Sequence, residues 1–483
     1  MSQATTTGAL QRHRAISQGS PFVSMSGMAR GAVLALFLGY YVVVVFLCYR
    51  NQVPNGASIL LALGLNLLTF ALPLMFYRQG WGWFHPLVFA SLWRVMKMLP
   101  RKLPTFVHGL TWHRALPEYS PSELNQLVAQ DLLLEALGVL CAFVAFMAMP
   151  RPPVPSLRLA LPRRHTGIWV AMAFAGGVVT LYLIARGGLL SHFSQTARSR
   201  HVGLAGQIYI TRLVAFGFVA LWYWLAYWRN SARDLRFWVA ALIFAFLSFA
   251  LTGSRGSIVS IAMVGLVVVF MRDRRIRVGR VALAAFAAIY VIGVLGPLRR
   301  SAFRDGEFSL ENVRSVDLDE GLEGGGDEIV TRANNNNATL AILARVPERV
   351  DLLYGSSYVA LFTAPIPRAL WAGKPGFTGG RVGKAFYGTT GGVPPGAVGE
   401  AYWNFHIPGI VLVFCLFGAF QRWIADTVAA YDAHPSLIPM YAMCLTMFQS
   451  PVVMGFVYLV SHIVIALIVV WSMGTLGHRG PRT

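Results

Sequence analysis

The chain has 483 residues, of which 56% are hydrophobic and 13% charged, and its formal net charge is +21. Apolar runs of roughly 15 to 23 residues recur between short Arg-rich or Gly/Pro-rich joints, and runs such as VALAAFAAIYVIGVLG carry no polar face. This pattern excludes a soluble core and predicts an all-α polytopic membrane protein. The arginines sit in the joints, so the charge reflects orientation in a bilayer rather than a nucleic-acid partner.

In chain order, residues 1–28 form a polar, Ser/Thr-rich tail, and the first apolar run lacks a small-residue cleavage site, which predicts an uncleaved anchor. Spans are expected near 29–48, 57–77, 83–99, 131–149, 167–185, 206–228, 237–252, 257–271, 281–297, 407–425, 437–453 and 456–475, about twelve in all. The third is the weakest, because Trp81, Trp83, Arg94 and Lys97 also suit an interfacial or re-entrant helix. With the N-terminus inside, the basic joints 151–165, 229–236 and 272–280 and the tail 477–483 all fall in the cytoplasm; without the third span, joint 151–165 would lie outside. Cys48, Cys141, Cys415 and Cys444 lie in or beside apolar runs, with no metal-ligand spacing.

The same register places one long stretch, 298–406, on the outer face. Its first part, RDGEFSLENVRSVDLDEGLEGGGDEI, holds nine of the chain's twenty acidic residues and reads as a solvated loop; Asp317, Asp319 and Glu320 do not match a calcium loop. Its second part, 338–406, is apolar, aromatic and rich in Gly and Pro, so it is expected to fold back on the bilayer surface. SYVALFTAPIPRALW is too short to span and is expected to be re-entrant or interfacial. No internal repeat is found.

Outer-face arginines run against the charge bias of membrane proteins and need another reason. Arg255 lies in TGSRGS between Gly253 and Gly256; Arg299, Arg300 and Arg304 follow the ninth span; Arg368, Lys374, Arg381 and Lys384 belong to the long loop. Arg212 enters the sixth span by about 9 Å. A guanidinium cluster at that boundary suits a phosphate or pyrophosphate held in bidentate fashion. Arg198, Arg200, Arg314 and Arg332 are better read as headgroup or loop partners. Glu400 and His406, in GAVGEAYWNFHIPG, are candidate proton acceptors, each with a structural alternative as an ion-pair partner or an interfacial residue. Tyr402, Trp403 and Trp371 suit the interfacial belt and also the faces of sugar rings, and the tract 334–337 (NNNN) offers amides to hydroxyl groups.

The run Pro367, Arg368, Leu370, Trp371, Lys374, Pro375, then Gly399, Glu400, Tyr402, Asn404 and Phe405 before a span, resembles the polysaccharide repeat-unit polymerases (Wzy-type, O-antigen polymerase-like). TGSRGS is similar to that family's outer-face arginine joint. The likeness covers about residues 250–412; Ala372 stands where the family often has proline, and His406 where glycine is common. It implies a GT-C-like, metal-independent glycosyltransferase without a cofactor, on the outer face of a bacterial inner membrane with both termini cytoplasmic. Its partners would be an undecaprenyl-pyrophosphate-linked glycan donor and acceptor, membrane lipids and a chain-length regulator, with no nucleic acid. Arg212, Arg255, Arg299, Arg300, Arg304, Arg368 and Lys374 would hold the pyrophosphate, Glu400 and His406 the proton, and Tyr402, Asn404 and Trp371 the glycan. An O-antigen ligase shares donor and architecture. A secondary transporter shares the span count, but charge near mid-span is expected to be nearly absent, with His462 the main exception.

Overall fold

A computed structural model describes residues 21–162, 165–188, 191–192, 212–252, 255–277, 279, 337–364, 366, 370–371, 373–389 and 391–475. Its helices are α1 (Gly27–Arg50), α2 (Gly56–Met75), α3 (Pro86–His108), α4 (Pro121–Ala148), α5 (Thr166–Ala185), α6 (Ala215–Tyr227), α7 (Leu235–Thr252), α8 (Arg255–Asp273), α9 (Ala338–Arg345), α10 (Val359–Thr363), α11 (Thr378–Tyr387), α12 (Gly396–Ala430), α13 (Ile438–Met447) and α14 (Val453–Ser472). No strand occurs among the described residues. Among the described residues, six helices (α1, α2, α4, α5, α12 and α14) are long and apolar enough to cross a membrane, while α6, α7, α13 and the first half of α3 are shorter apolar segments. The protein is thus a helical membrane protein. The expected span 281–297, the acidic stretch to 336, residues 1–20 of the N-terminal tail and the C-terminal tail lie outside the described residues.

Local chemistry explains the boundaries. Helix α4 starts ten residues before the expected span, because Ser120, Pro121 and Glu123 form a capping box: the Ser120 hydroxyl accepts from Glu123 N–H and Glu123 accepts from Ser120 N–H. Helix α12 breaks at Phe405 and His406, where Pro408 cannot donate to the carbonyl four residues back. Within SYVALFTAPIPRALW, where a re-entrant or interfacial helix is expected, the described residues form α10, five residues long, and residues 365 and 367–369 lie outside the described residues.

Helix α4 packs between α2 and α12. Along the α4–α12 seam Gly418 lies against the backbone of Ala142, so that a Cβ there would stand 2.1 Å from the Ala142 carbonyl oxygen, and the ring of Phe414 covers Gly138. Small residues permit this approach, and in lipid close contact is the main source of helix affinity.

The basic joints gather at one end of the bundle. The Tyr431 hydroxyl donates to Pro155 O and Ala160 N–H donates to Thr475 O. Arg274 pairs with Asp432, Arg272 donates to the carbonyls of Leu225 and Trp228, and His165 stacks on Trp228. Segments 50–56, 107–122, 337–358 and 378–404 lie at the other end, tied by bonds such as Asn51 to Val107 O and Tyr119 to Ala344 O.

Candidate functional site

At that second end, three segments distant in sequence meet around Glu400, which is 1% exposed. The carboxylate stands one turn into α12. Its Oε1 accepts from the Thr378 hydroxyl, the first residue of α11, and its Oε2 accepts from Val453 N–H, the first residue of α14, at 2.8 Å. No side chain of residues 448–452 caps α14, so Glu400 supplies the cap from another helix and meets the positive end of the α14 dipole. One turn on, Asn404 is fully buried, and its amide donates to Ser357 Oγ and to Glu400 O, both at 2.7 Å.

The loop 351–358 is laid against this helix by Leu353 N–H to Trp403 O and by the Trp403 indole to Asp351 O. Gly355, at φ +81°, lets the loop pass close to the Phe405 ring. Tyr358 stacks on Phe405, and burial together with the Glu400 charge pushes its phenol up, so the hydroxyl stays protonated. Two buried groups here have no protein partner, Asn404 Oδ1 and Tyr358 Oη.

The remaining expected site residues are distributed unevenly. Tyr402 is buried and its hydroxyl lies 2.5 Å from His406 Nε2; His406 occupies the left-handed half of backbone space, at φ 57° and ψ −147°. Arg212 lies with its guanidinium 3.6 Å from the Tyr458 ring centroid, a cation–π contact with α14. The side chain of Lys374 is buried, and its ammonium donates to the carbonyls of Ala364 and Ile366. Trp371, 41% exposed, and Lys384 face outward, and Arg381 donates to Ser356 Oγ. Arg255 begins α8, and Arg299, Arg300, Arg304 and Arg368 lie outside the described residues.

Sequence reasoning missed Thr378, Ser357, Tyr358 and Val453, which no motif marks. It also expected almost no charge at mid-span, and the structure corrects this. Asn66, the eleventh residue of α2, donates to Leu132 O, which fixes Asp131 beside the middle of that helix. Asp131 and Glu135 flank the ammonium of Lys102 at 3.2 and 3.6 Å, and Arg94 donates weakly to Gln449 O in the α13–α14 break. Asn337, the N-cap of α9, donates to Asp131 Oδ2, so α9 dips into the bundle alongside the first turns of α4. His113 holds Asn337 O from the adjoining loop. The capping box at Ser120 was the signal that could have placed Asp131 and Glu135 inside a helix.

No protein family, curated protein or solved structure matches the chain.

Proposed function

We propose that the chain is a glycosyltransferase that polymerises undecaprenyl-pyrophosphate-linked oligosaccharide repeat units on the outer face of a bacterial inner membrane. About twelve crossings, with both termini cytoplasmic and a large outer loop, accord with the basic joints sharing one end of the bundle. The observation that carries the proposal is the convergence of α11, α12, the 351–358 loop and the start of α14 on a buried carboxylate, with unpartnered hydrogen-bonding atoms beside it.

In this scheme an acceptor hydroxyl takes the place of Thr378 at Glu400 Oε1. Glu400 removes its proton as the oxygen bonds to the donor's anomeric carbon, and the bond from that carbon to the pyrophosphate oxygen breaks. The leaving pyrophosphate carries the electron pair away and is stabilised by Arg255, Arg299 and Arg368, with Arg212 near the outer boundary. The sugar–pyrophosphate bond already stores the energy, so the scheme draws on no nucleotide or metal. His406, bonded to Tyr402 at the α12 break, is the alternative proton acceptor.

The test is reconstitution of the purified chain in lipid with undecaprenyl-pyrophosphate repeat units, followed by gel analysis. A ladder of glycan lengths, abolished by Glu400→Gln and by Arg255→Lys, supports polymerisation; one transfer to a lipid A core or a protein indicates a ligase. A second reading, secondary transport, is favoured by the ion pairs of Lys102, Asp131 and Glu135 at mid-bundle depth. Sugar flux into vesicles without glycosidic bond formation would replace the enzyme proposal with that one.

A further inference from the structure

Resting on the polymerase proposal, we propose that Tyr358 and Asn404 read a second hydroxyl of the acceptor sugar, the one next to the hydroxyl that attacks. Glu400 and Asn404 lie one helical turn apart on α12, hence on one face, roughly 5–6 Å apart at Cβ. That spacing suits a carboxylate on one hydroxyl and an amide oxygen on its neighbour. Asn404 cannot turn its oxygen away, because its NH2 group is fixed by Ser357 Oγ and Glu400 O. The amide is therefore locked with Oδ1 as a free acceptor, fully buried.

Tyr358 follows Ser357 directly, so the residue that locks Asn404 also places the phenol. The Tyr358 hydroxyl is buried, without a partner and close enough to Glu400 to feel its charge. Its ring lies parallel to Phe405, with centroids 6.4 Å apart. The phenol can thus donate to the oxygen of the second hydroxyl while Asn404 Oδ1 accepts that hydroxyl's hydrogen. Buried polar atoms left empty are costly, and a ligand that satisfies them is preferred over one that lacks the group. The acceptor class is a sugar with two adjacent free hydroxyls, one of them the nucleophile.

The experiment compares, in the reconstituted full chain, the repeat-unit acceptor with analogues in which single hydroxyls of the terminal sugar are replaced by hydrogen. Loss of the hydroxyl adjacent to the attacking one should lower kcat/KM roughly 10- to 100-fold, and loss of a remote hydroxyl should change it little. In Tyr358→Phe, which removes only the unpartnered oxygen, that discrimination should shrink several-fold while thermal stability holds or rises. A merely structural role for Tyr358 would slow both acceptors equally. Equal use of native and adjacent-deoxy acceptors by the unmodified protein overturns the inference and leaves polymerisation standing. The absence of product from the complete acceptor pair overturns polymerisation itself.

Discussion

His406 offers a direct test of how α12 is built. At φ 57° and ψ −147° it sits in a region that glycine enters freely and other residues enter at a cost of about 1–3 kcal/mol. Replacement by Gly or by Ala removes the same contact, the 2.5 Å bond to the Tyr402 hydroxyl, worth about 0.5–1.5 kcal/mol. That loss cancels between the two variants and leaves the backbone alone. Inside an ordinary helix Ala is more stable than Gly by about 1 kcal/mol. Here the order should reverse, with His406→Gly more stable than His406→Ala by about 1–3 kcal/mol, about 5- to 150-fold in the folding equilibrium. Unfolding of the purified variants in mixed micelles, followed by tryptophan fluorescence, reads the difference. If the Ala variant equals or exceeds the Gly variant, α12 has no break of this geometry at His406.

Gly418→Ala should cost about 1–3 kcal/mol, since the new methyl meets the backbone of Ala142, whereas Gly176→Ala in α5, with open space around it, should be neutral or stabilising; thermal unfolding in detergent distinguishes them. Glu400→Gln should fold but leave one of the two donors, Thr378 or Val453 N–H, poorly satisfied, with about 1–3 kcal/mol lost and polymer formation down at least about 100-fold. Lys102→Met should destabilise by about 3–5 kcal/mol, because Asp131 loses its ammonium at depth; Lys102→Met combined with Asp131→Leu should recover much of this, as read by the same unfolding assay. Burial pushes the imidazole of His113 down, and it is neutral in the fold, donating from Nε2 to Asn337 O and accepting Ala115 N–H at Nδ1. Its contribution to stability is therefore present above the unfolded value of about 6.5 and is lost as pH falls below it; His113→Asn should flatten that part of the stability–pH curve.

The long apolar helices were legible because a bilayer imposes one length and one composition on every span, and α1, α2, α5 and α14 lie within a few residues of their expected ranges. The grouping of basic joints was legible for the same reason. Hydropathy failed where polar residues extend a helix: α4 begins in PSELNQ, a polar turn that only its capping chemistry reveals. Glu400 was singled out from its place beside aromatic residues at a span boundary and Asn404 from the Gly-Glu-x-Tyr-x-Asn resemblance, but the groups that meet them were not, since Thr378 and Ser357 are ordinary residues brought there by tertiary placement. The bonds of Lys374 to the carbonyls of Ala364 and Ile366 were not legible, because a lysine in a loop carries no sequence mark of the groups it will meet.

Helix α9 has a consequence for how the protein is made. It is wedged against α4, from the first half of the chain, and against α12, which follows it by some fifty residues. Both walls of its slot must be in the bilayer before it can be seated. When α9 leaves the ribosome, α4 is already in place but α12 has not been synthesised, so the segment must wait outside and dock afterwards. Truncations ending before residue 396 should therefore leave α9 open to protease, and chains that extend past α12 should protect it.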